Sequence, residues 1–174
     1  MLAEHDVELE KMFYLDFAKQ KETIRVFQNR QKINLVALRE GRLAEKENEI
    51  VLERRYAEEH QYTVGSQITL GKIKFQVTGI ATTPDYDAPL RKMSDTIVDS
   101  KNFGTAFVGK RAYIKLKQSH LAAQSEEYLY AYRLKGTTTS DDVKDFLNDF
   151  KVDADEISDL FFQDYWERTG GKVT

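Results

Sequence analysis

Residues 48–87 read NEIVLERRYAEEHQYTVGSQITLGKIKFQVTGIATTPDYD, and the patterning changes twice along this stretch. Glu49-Ile50-Val51-Leu52-Glu53 is a short apolar run of strand type. From Arg54 to His60 helix formers take over, with no Gly or Pro among them. Gly65 breaks that turn, and a clean alternation follows: Ile68, Leu70, Ile73, Phe75 and Val77, with Gln67, Thr69, Lys72, Lys74, Gln76 and Thr78 between them. A period of two marks half-buried strands, so this part predicts a hairpin. Gly71-Lys72 suits a two-residue type II′ turn, whose first central position demands φ > 0. Gly79 and Pro84 are expected to close the second strand, since proline donates nothing to a sheet ladder. The stretch is therefore a strand, a short helix and a hairpin, ending in an acidic loop.

Working outward toward the N-terminus, Val7, Leu9, Phe13, Leu15 and Phe17 share a parity that is broken at Lys11-Met12. This predicts a long strand with a bulge, and a helix through Leu9, Met12, Phe13 and Phe17 is the competing fit. Residues 23–28 supply a β-rich partner, reached by a hairpin through Gln20-Lys21-Glu22. Residues 33–38 read as a short buried strand ended by Gly41, and 42–46 as a charged connection. Toward the C-terminus, 88–102 is an irregular loop, long for a compact domain and hence expected to be mobile or functional. Residues 105–108 are strand-like, 110–119 helical, and 127–134 an alternating strand with Tyr128, Tyr130 and Tyr132 opposite Leu129, Ala131 and Arg133. Thr139-Ser140 caps a helix over 141–150, and 157–162 reads as a final strand. Strands and helices in this order predict a layered α+β fold with helices on one sheet face.

The composition is that of a globular chain, with 41% hydrophobic and 32% charged residues, and 174 residues suffice for a real core. Net charge is −3 with both signs interspersed, which lacks the basic footprint a phosphate backbone requires, so nucleic acid is not an expected partner. Without cysteine there is no disulfide, no thiolate chemistry and no Cys-ligated zinc. The longest run free of Asp, Glu, Lys and Arg is the polar segment 60–71, too short and too polar to span a membrane.

Several motifs fall short of chemistry. Gly104 to Lys110 matches G-x-x-x-x-G-K, but Arg111 follows where magnesium needs a hydroxyl, and the intervening residues read as a strand. His5, His60 and His120 stand far apart, with no metal-binding spacing. An EF-hand starting at Asp153 would need Gly at Ser158 and a bidentate Glu at Asp164. Asp85 and Asp87 flank Tyr86 in a proline loop, where paired carboxylates are commonly turn formers, although a hydrolase using both is one reading. Tyr165-Trp166 reads as a packing pair, with a place at a membrane interface the alternative if a membrane helix follows.

The order of elements says more than these motifs. An E-I-V-L strand (Glu49 to Leu52), a short helix, a V-G-x-x-I-x-L element (Val64 to Leu70) and an F-x-V-x-G-I strand (Phe75 to Ile80) resemble the extracytoplasmic domain of MacB/FtsX-like ABC transporter permeases. Thr83-Pro84-Asp85-Tyr86-Asp87 and the run from Phe103 to Val108 resemble its Gram-positive version. Ser66 stands where that family commonly has Asp, and its hydroxyl can serve as the same turn acceptor. The resemblance implies structural signature positions at Glu49, Gly65, Gly79, Pro84, Asp85, Tyr86, Phe103 and Gly104, with no catalytic, metal or cofactor residue. It also implies an α+β porter-like lobe (1–32 and 103–174) with an inserted β-rich sabre-like lobe (33–102). The function it implies is non-enzymatic: an extracellular part of a membrane protein, with membrane helices outside both ends, coupling ATP-driven motion to substrate export or to an extracellular partner. ATP would be bound by a separate cytoplasmic ATPase subunit, and a dimer is one assembly the family suggests. The alternative is a secreted or surface-anchored binding module for peptide or cell-wall glycan.

Overall fold

The computed structural model describes residues 7–86 and 100–134. The helix expected over 141–150, the strand over 157–162 and most of the 88–102 loop lie outside the described residues. In chain order the elements are β1 (Val7–Lys19), β2 (Glu22–Gln28), β3 (Ala37–Gly41), β4 (Glu49–Glu53), α1 (Arg54–Glu59), β5 (Gln67–Leu70), β6 (Ile73–Thr82), a 3₁₀ turn over Pro84–Tyr86, β7 (Phe103–Val108), α2 (Lys110–Gln118) and β8 (Glu127–Leu134). The strands form one mixed sheet in the order β3-β6-β4-β7-β2-β1-β8, with β5 paired to β6. Pairs β2/β7 and β4/β6 are parallel, and β4 meets β7 antiparallel. The fold is α+β. Strands expected in the inserted β-rich lobe and strands expected in the flanking lobe share this sheet, with β4 between β6 and β7. By compactness the chain divides into Leu9–Tyr132 and a unit made of Met1–Glu8 with Arg133–Thr174.

Alternation along the strands sorts the side chains into two cores. Leu15, Phe17, Ile24, Val26, Ile50, Leu52, Phe75, Val77 and Ile80 join Tyr56 and Ala57 of α1 and Ala112, Tyr113 and Leu116 of α2 on one face. Met12, Tyr14, Phe27, Val51, Ala81, Phe103 and Phe107 lie on the other, with Ile33 and Ala44 packed against them. Burying one large apolar side chain is worth about 1.5–3 kcal/mol, so among the described residues the helix-covered face, which buries the larger set, contributes more of the hydrophobic stabilisation. Both helices are short, and neither would persist alone in water. Burial of Tyr56 and Ala57 holds α1, together with Glu53, whose carboxylate accepts from the Arg55 and Tyr56 amides as an N-cap. Lys115 and Lys117 sit in the last turn of α2, where cations favour the helix dipole.

The β5–β6 hairpin has the expected turn, with Gly71 at φ +60 and Leu70 paired to Ile73. Two sequence expectations need correction. Gly79 does not close β6, which runs on to Thr82. Its pairing with β4 shifts register between Ile50 and Val51, leaving Thr78 as a bulge, and the bulge returns Ile80 to the face of Val77. Residues 33–38 are not a buried strand: the strand is β3, later in sequence, exposed throughout, and at the sheet edge. Ile33 is nevertheless buried. The Glu10 carboxylate accepts the amides of Gln31, Lys32 and Ile33, which fixes the backbone in a bend where a strand would need those amides for a neighbour.

Candidate functional site

Of the expected signature positions, Glu49, Gly65, Gly79, Asp85, Phe103 and Gly104 make structural contacts within the fold. Glu49, at the start of β4, is buried and grips the Arg42 guanidinium at both carboxylate oxygens, at 2.8 and 2.6 Å. The same carboxylate accepts the backbone amides of Glu45 and Lys46 at 3.0 and 3.1 Å. The Arg42 bonds, helped by those amides and opposed by burial, hold the Glu49 carboxyl well below the usual carboxylate range. Gly79 meets this clamp from the other side. A Cβ there would lie 2.5 Å from the Arg42 carbonyl, and one on its pairing partner Gly41 (φ +71) would lie 2.1 Å from the Thr78 carbonyl. Glu49 and Gly79, thirty residues apart in sequence, therefore fix one and the same connection, 41–46, against the sheet.

Gly65 takes φ +97 and donates its amide to the Val77 carbonyl at 2.8 Å. Beside it the Ser66 hydroxyl accepts the Thr63 amide at 3.0 Å, the turn-acceptor role read from the sequence. Gly104 makes room for Tyr56: a Cβ there would meet the ring at 2.4 Å. Tyr56 in turn donates its hydroxyl to Glu22 at 2.5 Å. Burial first, and then that bond to a carboxylate, push the Tyr56 phenol up, so it stays protonated at any physiological pH. Phe103 is buried on the opposite face, where the Arg25 guanidinium lies 5.3 Å from its ring centroid.

Pro84 and Asp85 stand in the 3₁₀ turn with Tyr86, and Asp85 accepts from the buried guanidinium of Arg30. That guanidinium also donates to the Asn34 carbonyl and lies over the Phe27 and Phe107 rings, at 5.0 and 5.3 Å. Asp85 is thus engaged in an ion pair, and Asp87 and His5 lie outside the described residues. Among the described residues no group of three His, Asp or Glu is placed to hold a metal ion. The Gly104–Lys110 run is β7 followed by the start of α2, with Gly104 to Val108 buried in the sheet, so its backbone is spent on strand pairing.

Sequence reading missed the cationic halves of these contacts, Arg30 and Arg42, and also the buried pair of Arg25 with Asp16, at 2.9 and 3.0 Å. No local signal marks them, because a charged residue on a strand or in a connection reads as solvent-facing until its partner is located. Two surface features were missed as well. A groove of about 310 Å³ lies between α1 and the β3–β6 edge, lined by Arg39, Glu40, Arg54, Ala57, Glu58, Gln61, Tyr62, Thr63 and Ile80. On β1 and β8, Phe13, Tyr128 and Tyr130 are exposed, and the Lys11 ammonium sits 3.9 Å from the Tyr128 ring centroid. No helix among the described residues is long and apolar enough to cross a membrane.

No family model matches the chain, and no curated protein matches it. Among solved structures it is similar to the periplasmic region of MacB from Actinobacillus actinomycetemcomitans, with a TM-score of 0.46 and 11% identity over 89% of this chain and 69% of that one. It is also similar to the extracellular domain of the noncanonic ABC-type transporter YknZ from Gram-positive bacteria, with a TM-score of 0.37 and 12% identity over 83% of this chain and 73% of that one.

Proposed function

We propose that this chain is the extracytoplasmic domain of an ABC transporter permease, a non-enzymatic body that carries ATP-driven motion to an exported substrate or an extracellular partner. The observation that carries the reading is the joint use of the signature residues. Glu49 and Gly79 pin the 41–46 connection, Gly65 ties the turn before β5 to β6, and Gly104 seats Tyr56. Residues used in this way build a stiff scaffold, which transmitting a displacement requires, whereas an active site would turn polar groups toward a shared cavity. The ATPase is a separate subunit in this proposal, and residues 88–102 supply the contact element for the substrate or partner.

The test is the complete reading frame. Apolar runs of about 20 residues on both sides of the domain are the expected result. Soluble flanks, or a cleaved leader alone, would contradict it. The second reading, a surface-anchored module for peptide or glycan, is favoured by the exposed Phe13, Tyr128 and Tyr130 around Lys11, since aromatic surface left in water commonly marks an interaction site.

A further inference from the structure

Four side chains from two neighbouring strands gather at one spot on the sheet surface. Lys11 and Phe13 of β1 share the parity of Leu15 and Phe17, which enter the helix-covered core, and Tyr128 and Tyr130 share a parity on β8, the strand beside β1. The rings stay in water: Phe13 is 38%, Tyr128 55% and Tyr130 59% exposed. Phe13 and Tyr128 incline at 60° with ring centroids 6.0 Å apart, and Tyr128 and Tyr130 at 80° with centroids 5.7 Å apart. Rings so inclined can turn their faces toward a common point instead of stacking on one another. A cation already occupies that point. The Lys11 Nζ lies 4.8 Å from the Phe13 centroid, 3.9 Å from that of Tyr128 and 5.3 Å from that of Tyr130, each inside the roughly 6 Å over which a ring face attracts positive charge. Among the described residues Lys11 makes no ion pair, so ring faces surround its ammonium where a carboxylate would be usual.

We propose that Phe13, Tyr128 and Tyr130 form an aromatic cage for a small solute carrying a quaternary ammonium group, and that Lys11 fills the cage until such a solute displaces it. The chemistry favours the exchange. A lysine ammonium is strongly hydrated and carries three N–H donors, for which ring faces are poor acceptors. A quaternary ammonium has no N–H to satisfy, so it gives up little hydration on entry, and its methyl groups bring the positive charge against the ring faces. Lys11 is exposed and sits on a flexible four-carbon stem, so on displacement its charge returns to water. The site stands on this geometry alone and does not depend on the transporter reading. A peptide or glycan stacked on the same rings would need no cation, and that difference is what the experiment reads.

The experiment titrates choline into the 174-residue chain and follows the ring protons of Phe13, Tyr128 and Tyr130 by NMR. Their shifts should saturate with a Kd on the order of 1–10 mM, the scale of a few exposed cation–π contacts. Lys11→Ala, which empties the cage, should tighten binding about five-fold, and Tyr128→Leu, which keeps apolar bulk but has no π face, should weaken it about ten-fold. The neutral isostere of choline, with carbon in place of the charged nitrogen, should leave the rings unshifted. An equal response to that isostere would assign the rings to stacking or apolar ligands and overturn the cage. So would the absence of a saturable shift with choline, binding unchanged in Tyr128→Leu, or binding no tighter in Lys11→Ala. Sedimentation of the chain with phosphatidylcholine vesicles that excess choline fails to reverse would assign the rings to a bilayer surface and overturn it as well.

Discussion

The two faces of the sheet are packed by different means. On the face covered by α1 and α2, the core is aliphatic and aromatic throughout, from Phe17 and Ile24 to Phe75 and Leu116, all fully buried. On the opposite face, buried charges sit among the rings. Asp16 pairs with Arg25, whose guanidinium lies 4.1 Å from the Tyr14 ring centroid, and Arg30 pairs with Asp85 beside Phe27 and Phe107. The first face needs only apolar residues of suitable volume. The second needs particular partners, because a buried charge deprived of its partner is expensive. The apolar face should therefore fail by cavity formation, and the charged face by losing one member of a pair.

The largest effect is expected on the apolar face. Phe75→Ala leaves a cavity in the helix-covered core and should cost about 3–5 kcal/mol in urea unfolding, with little dependence on pH. On the other face, Asp16→Ala takes the carboxylate from a buried guanidinium and should cost about 3 kcal/mol, whereas Asp16→Leu with Arg25→Met should recover most of that loss. A double variant as unstable as the single one would show that the charged face does not differ in kind. Glu49 sharpens the contrast through pH. Its folded carboxyl titrates below its unfolded value, so its contribution is fully present above the ordinary Glu range and is lost as pH falls through the folded value. Urea midpoints measured from pH 5 downward should therefore fall, and Glu49→Gln, expected to cost about 2 kcal/mol at pH 7, should flatten that slope.

The smallest expected effect has the opposite sign. Gln61 follows α1 with φ +58, a left-handed conformation that suits glycine. Gln61→Gly should raise stability by a few tenths to about 1 kcal/mol, read as a shift in thermal midpoint.

What could be read from the sequence follows the same division. Strand β4, helix α1 and the β5–β6 hairpin are visible as apolar periodicity, and the Gly71 turn follows from its φ requirement. Gly79 was misread because a glycine at a bulge and a glycine at a strand end look alike until the backbone packed against it, at Arg42 and Glu40, is seen. Strand β3 was misplaced because an exposed edge strand carries no alternation, while Ile33 is apolar and buried without being in a strand. The Arg42–Glu49 and Arg30–Asp85 pairs span seven and 55 residues, and only the folded topology brings their members together.

The claim that this domain works outside the cytoplasmic membrane is tested most directly by labelling in intact cells. The chain has no cysteine, and Lys72 is exposed at the β5–β6 turn, so Lys72→Cys places a reporter in this domain of the full-length protein, with the unsubstituted full-length protein as the control for cysteines elsewhere. The account predicts that a membrane-impermeant maleimide labels it as fully in intact cells as in lysed ones. Labelling only after lysis would contradict it.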